Sequence, residues 1–389
     1  MLVLGIISIF TILLTVFLLN FRRMITRYDC YEPPVVENMG GRPPLVSIIV
    51  PMRDEEKNVR RCMGSLLFQN YPNFEVIAVD DSSKDNTLNI LKEFASGHNN
   101  LEVIEGKPLP EGWVGKSYAL WRGVERAKGD WLLFVDADTA SHPYMLTSVV
   151  KYVDENEIDM LSISPFQVLE TFWERVIQPV VLSFIYYAFP YRRINDPKSK
   201  MAAANGQFIL IRRSIYRAVG GHSAIKDRIV EDVALAGLVK DRGYRLHFVR
   251  GKTLIKTRMY TNFGEIWEGW TKNLFFGLGR KWRRIIFPVG ILLALGIVPP
   301  ILFAWSFVKV LFLGAPTLPL LLILAESAFL LVLVIYSFWQ QSVRLFAIPG
   351  YYSFTVFLGV LIYIAIILSS VYKVVSGVGV TWKERVYRL

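Results

Sequence analysis

The sequence is poor in cysteine and shows no repeats. Its two cysteines, Cys30 and Cys62, are too few and too far apart for a disulfide framework or a zinc site. There is no internal repeat, no low-complexity tract and no nucleic-acid-binding motif, so the net charge of +11 needs another explanation. Anionic lipid headgroups supply one, which predicts a membrane partner and no nucleic acid.

Charge is absent from three long stretches, where the hydrophobic fraction of 53% is concentrated. These stretches are Leu2–Asn20, Phe287–Val308 and Leu345–Tyr372, and a fourth, Thr317–Trp339, is interrupted only by Glu326. Each has the length that a helix needs to cross a bilayer. Because a lone acid inside a membrane costs roughly 3 kcal/mol, Glu326 has either a packing role or a functional one.

The first stretch lacks the marks of a secretory signal peptide. No basic segment precedes it and no small-residue cleavage site follows it, so we predict a retained anchor. Basic residues stand at both ends of the polar region that lies between this anchor and the later stretches. They are Arg22, Arg23, Arg27, Arg280, Lys281, Arg283 and Arg284. The positive-inside rule then predicts a multi-pass plasma-membrane protein whose polar region is cytoplasmic.

The tail conflicts with this topology. Three spans after a cytoplasmic region would leave the tail outside, whereas its basic residues, from Lys373 to Arg388, favour the inside. A break at Pro299-Pro300 would turn one span into a re-entrant segment and remove the conflict. The sequence leaves both topologies open.

Short apolar runs alternate with helical patterns from Val46 to about Asp232. The predicted strands are Val46–Val50, Phe74–Val79, Leu101–Ile104, Trp131–Val135 and Asp159–Ser164. The predicted helices between them are Glu55–Phe68, Asn86–Ala95 and Lys116–Ala127. Continuous apolar runs are typical of buried parallel strands, so the pattern predicts an α/β domain with a mostly parallel sheet.

Acidic residues follow three of these strands, in the segments 51–55, 80–83 and 136–138. Ligands of open α/β sheets bind at the carboxyl ends of the strands, where these segments lie. Residues i and i+2 of an extended chain project to one face, so Asp136 and Asp138 can both address one divalent cation. A solvated turn is the alternative for this pair.

Five segments in series resemble the family 2 inverting glycosyltransferases of the GT-A fold. They read VSIIVPMRDEE, VIAVDDSSKDNT, GKSYALWRGVERAKGDWLLFVDAD, NGQFILIRRSIYRAVGG and IVEDVALAGLVKDRGYRL. The resemblance covers Val46 to about Asn273. It implies a Rossmann-like catalytic domain that transfers a sugar, with inversion, from a nucleotide-sugar donor, which we take as UDP-linked.

The resemblance also implies roles for individual residues. The pocket for the donor's nucleoside is expected to contain Pro51, Arg53, Glu55, Asp80 and Asp81. Lys116 and Asp136 are expected near the donor nucleotide. Asp136 and Asp138 match a pair that binds a divalent metal, Mg²⁺ or Mn²⁺. Asp232 matches the general base, with its neighbour Glu231 as the competing candidate and helix capping as its alternative role.

The chemistry of sugar transfer supports these roles independently. The departing diphosphate must be neutralised, which a divalent cation does electrostatically. The acceptor hydroxyl must lose its proton to a base on the opposite face of the sugar. Two separate acidic positions in the sequence, the 136–138 pair and Asp232, agree with two distinct roles.

Two aromatic segments with basic ends, Glu170–Arg193 and Phe263–Arg284, flank the proposed base in the sequence. Their composition is typical of helices that lie in a membrane interface, and core helices are the alternative. An active site at that depth suits a lipid acceptor. The residues predicted at the acceptor or the interface are Glu231, Arg258, Trp267, Trp270, Lys272 and Phe275.

Three shorter segments, TRMY, EIWEGWTKN and GVTWKERVY, resemble membrane glycosyltransferases that act on hopanoid or carotenoid-type lipids. In the last segment Glu384 stands where a glycine is expected. A polyprenyl-phosphate glycosyltransferase and a processive polysaccharide synthase are the alternatives, although the Q-x-x-R-W sequence of the synthases is absent. A non-catalytic sugar-binding or transport protein is the alternative from another class.

The predicted organisation therefore has five parts. They are an anchor at 1–21, a GT-A catalytic domain at 45–260, an interfacial segment at 261–285, transmembrane helices at 286–375 and a basic tail at 376–389.

Overall fold

The computed structural model describes residues 2–26, 32–277, 283–312, 317–382 and 385–387. The chain forms two compact units. The helical unit comprises Met1–Arg27, Leu169–Ala188 and Tyr260–Leu389, and the sheet unit comprises Tyr28–Val168 and Phe189–Met259. Several predictions concern residues or side chains outside the described part of the chain. These are Arg27, Cys30, Phe275, Arg280, Lys281, Arg283, Arg284, Lys383, Glu384, Arg385 and Arg388.

The strands and helices have the following bounds. The strands are β1 Val46–Met52, β2 Phe74–Asp80, β3 Leu101–Ile104, β4 Trp131–Val135, β5 Thr139–Ser141, β6 Met160–Gln167, β7 Phe208–Arg212, β8 Leu246–Thr257, β9 Val380–Trp382 and β10 Arg385–Tyr387. The helices are α1 Leu2–Thr26, α2 Glu56–Leu67, α3 Thr87–Gly97, α4 Gly115–Arg126, α5 Met145–Glu155, α6 Phe172–Ala188, α7 Tyr191–Asn195, α8 Arg213–Ala218, α9 Glu231–Asp241, α10 Phe263–Gly277, α11 Arg283–Gly296, α12 Val298–Phe312, α13 Leu318–Arg344 and α14 Val356–Val375.

The sheet unit is built around an eight-stranded sheet with the order β3-β2-β1-β4-β7-β6-β8-β5. β1 pairs in parallel with β2 and β4, β2 with β3, and β6 with β8. β7 runs antiparallel to β4 and β6, and β5 runs antiparallel to β8. The predicted α/β fold is confirmed, and each predicted strand matches an observed one. The prediction missed β5, β7 and β8.

Burial on both faces explains why the parallel strands read as continuous apolar runs. In β1, Ile48, Ile49 and Val50 are all fully buried, so no polar alternation marks the strand. Helix α4 packs closely on this strand at Gly123. A Cβ atom at Gly123 would lie 2.4 Å from Cγ2 of Ile49, so only glycine allows this approach. The close packing fixes α4 against the strands whose ends carry the candidate site.

In its described residues, the helical unit contains four helical segments that are long and apolar enough to cross a membrane. They are Leu4–Met24, Ile286–Phe312, Leu318–Arg344 and Gly350–Val375. Each overlaps one of the four runs predicted from the sequence. The second is interrupted at Ile297, two residues before the Pro299-Pro300 pair, where the prolines cannot donate backbone hydrogen bonds. Helix α6 also belongs to this unit, although it lies inside the range predicted for the catalytic domain.

Candidate active site

The acidic segment after β4 is a turn. The backbone amide of Thr139 and its hydroxyl both donate to the carbonyl oxygen of Asp136, at 3.3 and 2.8 Å. The prediction of an extended chain at 136–138 is therefore wrong, because the chain reverses here between β4 and β5. Asp136 and Asp138 nevertheless both remain partly exposed, and the intervening Ala137 is buried.

Asp138 has one carboxylate oxygen that is satisfied and one that is not. Its Oδ2 accepts a hydrogen bond of 3.0 Å from Nε2 of Gln207, which also donates to Oγ1 of Thr257 at 2.9 Å. Its Oδ1 is buried and has no hydrogen-bond partner among the described residues. Burial, together with the charges of Asp136 and Glu55, raises the pKa of Asp138 to about 7. A cation would satisfy this oxygen and favour the ionised form.

No group of three or more His, Cys, Asp or Glu side chains in the described residues is arranged to hold a metal ion. The acidic turn supplies two carboxylates. A cation bound there would therefore need further ligands from outside the chain, such as phosphate oxygens or water.

Lys116, in the first turn of α4, connects the acidic turn to α9. Its ammonium nitrogen lies 2.7 Å from Oδ1 of Asp136 and 2.8 Å from Oε1 of Glu231. Burial acts to lower the pKa of Lys116, but the charges of Asp136, Glu231 and Asp232 outweigh it and raise the pKa well above its ordinary value. The same ammonium lowers the pKa of Glu231 against the effect of burial. Lys116 is thus a charged cation and Glu231 a charged carboxylate.

Asp232 lies beside this ion-pair cluster. Its Oδ2 accepts a hydrogen bond of 2.8 Å from the amide of Gly206, and its Oδ1 accepts one of 2.8 Å from the amide of Val233. Burial and the adjacent charge of Glu231 raise the pKa of Asp232 to about 6, although Lys116 acts to lower it. A carboxylate whose pKa lies near neutrality is suited to accept a proton. Asp232 fits the role of base better than Glu231, which is paired.

The ends of β1 and β2 bring together four of the five residues predicted to bind the nucleoside. The two strands pair in register from Val46 with Phe74 to Met52 with Asp80, so Pro51, Arg53, Asp80 and Asp81 lie at one edge. Arg53 donates to the carbonyl oxygen of Asp81 at 2.7 Å.

Asp80 is 2% exposed, and within the part of the chain that the structure describes its buried Oδ1 has no hydrogen-bond partner. Glu55, the fifth predicted residue, accepts a hydrogen bond of 2.7 Å from Nδ2 of Asn58. Its negative charge also acts to raise the pKa values of Asp136 and Asp138 in the acidic turn.

Residues 47–220 match the sequence profile of Glycosyl transferase family 2. The chain contains a family 2 glycosyltransferase domain. One relative, the 4,4'-diaponeurosporenoate glycosyltransferase of Staphylococcus aureus (strain USA300), is 28% identical over 247 residues. The matched part covers 62% of this chain and 64% of the relative, which is less than two thirds of the relative's length.

A solved structure shares the fold of the chain. It is the mannosyltransferase PcManGT from Pyrobaculum calidifontis, in complex with GDP-Man and Mn²⁺, with a TM-score of 0.51 and 17% identity. The match covers 91% of this chain and 99% of that chain. The predicted GT-A fold is confirmed.

The candidate site includes residues that were not predicted from the sequence. Gly206 and Gln207 contact Asp232 and Asp138 respectively, and Thr257 at the end of β8 holds the amide of Gln207. In the sequence, Gly206 and Gln207 belong to the segment NGQFILIRR, where a polar triplet directly precedes an apolar strand. Nothing in the sequence connects that triplet to α9.

The residues predicted at the acceptor or the interface differ in burial. In the sheet unit, the amide of Arg258 donates to the carbonyl oxygen of Asp138 at 3.3 Å. In the helical unit, Trp267 and Lys272 are partly exposed. Trp270 is only 6% exposed, and its Nε1 donates to Oε1 of Gln178 at 2.9 Å. This burial does not agree with a contact of Trp270 with the acceptor or the membrane.

Proposed function

We propose that the chain is a membrane glycosyltransferase that moves a sugar from a nucleotide-sugar donor to a lipid acceptor with inversion. The observation that carries this proposal is the arrangement around Lys116. The ammonium lies 2.7 Å from Asp136 in the acidic turn, where an oxygen of Asp138 is buried without a partner among the described residues. It also lies 2.8 Å from Glu231, the neighbour of Asp232, whose pKa is raised. The proposed metal ligands and the proposed base are thus grouped around one cation.

The donor's nucleoside is proposed to bind at the ends of β1 and β2. The unpaired Oδ1 of Asp80 is suited to accept an N–H from the base, because a buried carboxylate oxygen without a partner is costly. Arg53 and Asp81 lie at the same edge. The identity of the base as uracil remains a prediction from the sequence.

Asp136 and Asp138 are proposed to hold Mg²⁺ or Mn²⁺. When bound, such an ion would supply positive charge for the diphosphate that leaves the sugar. The unpaired oxygen of Asp138 supports this fit, and the Mn²⁺ and GDP-Man in the PcManGT complex agree with it. Lys116 adds a second positive charge beside Asp136 and holds that carboxylate in one orientation.

Asp232 is proposed to act as the general base. Its carboxylate takes the proton of the acceptor hydroxyl while that oxygen forms a bond to the anomeric carbon. The bond from this carbon to the diphosphate breaks on the opposite face, so the configuration inverts. The hydrogen bonds from Gly206 and Val233 hold the carboxylate in place during the transfer.

A lipid acceptor is proposed from three observations. The described part of the chain has four helical segments that are long and apolar enough to cross a membrane. The name of the S. aureus relative, 4,4'-diaponeurosporenoate glycosyltransferase, contains a carotenoid-type compound. Trp267 and Lys272 in α10 are partly exposed and amphipathic, as suits the headgroup level. We place the protein in the plasma membrane with the sheet unit in the cytoplasm.

The deciding experiment compares Asp232→Asn with Glu231→Gln in the full-length protein. Asp232→Asn should bind the donor almost normally and lose roughly two to four orders of magnitude in transfer rate, as expected for removal of a general base. Donor affinity and single-turnover transfer are measured side by side, with extracted lipids as acceptors. Equal losses of affinity and rate would refute the assignment, and so would a rate loss confined to Glu231→Gln. Failure of the wild-type protein to hydrolyse or transfer any nucleotide sugar would favour a non-catalytic function.

A further inference from the structure

Glu326, the acid inside the third candidate span, is held by hydroxyl groups of α1. Oγ of Ser8 donates to its Oε1 at 2.6 Å, and Oγ1 of Thr11 donates to its Oε2 at 3.2 Å. Ser8 and Thr11 are one helical turn apart, so both hydroxyls project from the same side of α1. A polar side chain between apolar helices needs such partners, because the bilayer offers none.

A second contact between the same helices gives their relative direction. The guanidinium of Arg22 lies 5.3 Å from the ring centroid of Tyr336. The helix rise separates Thr11 from Arg22 by roughly 16 Å, and Glu326 from Tyr336 by roughly 15 Å. Both contacts therefore form only if α1 and α13 run parallel.

The buried residues of the two helices agree with this direction. In α1 the buried residues include Thr11, Leu14, Leu18 and Phe21, and in α13 they include Ser327, Leu330, Val334 and Ser337. Both sets follow alternating steps of three and four residues, which places each set on one face of its helix. The contact face thus continues from Glu326 towards Tyr336.

We propose that Ser8, Thr11 and Glu326 lock α1 parallel to α13 and thereby fix the membrane topology of the chain. This inference is independent of the proposed catalytic function. It makes α1 a permanent part of the helical unit, because its removal would leave the Glu326 carboxylate without these two donors. It also assigns Glu326 the packing role, one of the two roles that the sequence left open.

The parallel direction requires an odd number of crossings between the two helices. The chain leaves α1 at Thr26 on one side of the membrane, and α13 must start on the other side. Between these helices, Ile286–Phe312 is the single candidate span in the described ranges 32–277 and 283–312. That segment therefore crosses the membrane completely.

The break at Ile297 is compatible with a full crossing. The amide of Ile297 donates to the carbonyl oxygen of Leu293 at 3.0 Å. The amide of Ile301 donates to the carbonyl oxygen of Ile297 at 3.2 Å. Backbone hydrogen bonds thus continue from α11 into α12, so the segment does not turn back at Pro299-Pro300. The re-entrant alternative left open by the sequence is not favoured.

The first test measures the direction by cross-linking pairs of introduced cysteines. Cys30 is replaced by serine, and the fully buried Cys62 is kept because it is inaccessible to reagents. In membranes treated with a short bifunctional maleimide, the pairs Ser8→Cys with Glu326→Cys and Arg22→Cys with Tyr336→Cys should cross-link. The exchanged pairs, Ser8→Cys with Tyr336→Cys and Arg22→Cys with Glu326→Cys, should not. Cross-linking of the exchanged pairs instead would overturn the proposal.

The second test measures sidedness with a membrane-impermeant maleimide on sealed inside-out and right-side-out vesicles. Thr317→Cys and Arg344→Cys lie at the two ends of α13, and Lys57→Cys reports the side of the sheet unit; all three positions are exposed. Arg344→Cys should react in the same vesicles as Lys57→Cys, and Thr317→Cys in the opposite ones. Reaction of Thr317→Cys from the side of Lys57→Cys would show that the 286–312 segment does not cross.

The third test concerns the hydrogen bonds. The double variant Ser8→Ala with Thr11→Ala should lower the yield of the Arg22→Cys with Tyr336→Cys cross-link. Adding Glu326→Leu to this variant should raise the yield only in part, because the unpaired carboxylate is gone but the hydrogen bonds that hold α1 are still absent. An unchanged yield in the double variant would mean that the hydroxyls do not hold α1. The matched variant Ser306→Ala removes a hydroxyl that donates to Leu302 and Phe303 within α12, and should change nothing.

Discussion

The backbone amide of Gly206 donates a hydrogen bond of 2.8 Å to Oδ2 of Asp232. The Cα atom of Gly206 also faces the ion-pair cluster, because an added Cβ atom would lie 2.8 Å from Nζ of Lys116 and 3.3 Å from Oε1 of Glu231. No side chain fits at this position without moving the ammonium. Gly206 therefore contacts the proposed base and also lies close to the cation beside the acidic turn.

The first prediction is that Gly206→Ala lowers the transfer rate by roughly tenfold to a hundredfold, since a displacement of about 1 Å in an active site has effects of that size. The measurement is single-turnover transfer with saturating donor. Gly64→Ala in α2 is the matched control, because a Cβ atom there meets nothing within 4 Å. It should keep full activity and gain up to about 1 kcal/mol of helix stability. Equal rates for the two variants would contradict the role given to Gly206.

The second prediction concerns pH. With the pKa of Asp232 near 6, the ionised base is lost as the pH falls, so kcat/KM should decline below about pH 6. Glu231→Gln removes the neighbouring charge that raises this pKa and should move the decline to lower pH. The profile is measured at saturating Mg²⁺, so that protonation of Asp138 does not contribute. A decline that stays at the same pH in Glu231→Gln would assign the titration to another group.

The sequence was sufficient to predict strands β1 to β4 and β6 but not β5, β7 and β8. The bounds of β3 and β4 agree with the predictions, because both strands end at polar or glycine-rich loops. In contrast, β8 carries Arg250, Lys252 and Lys256 among its apolar residues, which hides the strand from a search for apolar runs. Its pairing with β6 and β5 depends on contacts that are distant in the sequence.

The site was predictable in its residue types and not in its pairings. Lys116 was expected near the nucleotide from its motif, and the structure adds that it pairs with Asp136 and Glu231. Those partners come from different elements, the turn after β4 and the start of α9, and no local rule brings them together. The unpaired oxygens of Asp80 and Asp138 likewise follow only from three-dimensional burial.

The third prediction concerns stability in metal-free buffer. Because the pKa of Asp138 is raised from about 4 in an unfolded chain to about 7, the folded state binds its proton more tightly. The stability that this proton contributes is present below about pH 4 and is lost as the pH rises through about 7. With a chelator present, the unfolding temperature should therefore fall from pH 5 to pH 8, and Asp138→Asn should reduce this fall.

Metal addition provides the second half of that test. Mn²⁺ at pH 8 should raise the unfolding temperature of the wild-type protein and not that of Asp138→Asn, because the amide carries no charge to hold the ion. Asp138→Asn should also abolish metal-dependent turnover. The exposed Asp154→Asn is the control and should resemble the wild type in both respects. A Mn²⁺ response that persists in Asp138→Asn would place the ion elsewhere.

The fourth prediction separates two tryptophans of α10 that the sequence treats alike. Trp270 is buried and bonded to Gln178, whereas Trp267 is partly exposed and contacts Phe263 with a ring-centroid distance of 5.8 Å. Trp270→Phe removes the donor to a buried amide oxygen and should cost about 1–3 kcal/mol of stability. Trp267→Phe should leave the unfolding temperature almost unchanged.

For sugar transfer to a lipid acceptor, we expect substitution of Trp267 to have a larger effect than substitution of Trp270. If Trp267 lies at the membrane interface, Trp267→Ser should reduce transfer to a lipid acceptor in liposomes and spare the slow hydrolysis of the donor by water, since the nucleotide site is formed by other residues. Both reactions are assayed on the same preparation in detergent and in liposomes. A parallel fall of hydrolysis and lipid transfer would show that Trp267 supports the packing of the helical unit. A fall confined to lipid transfer in liposomes would place its ring at the bilayer surface.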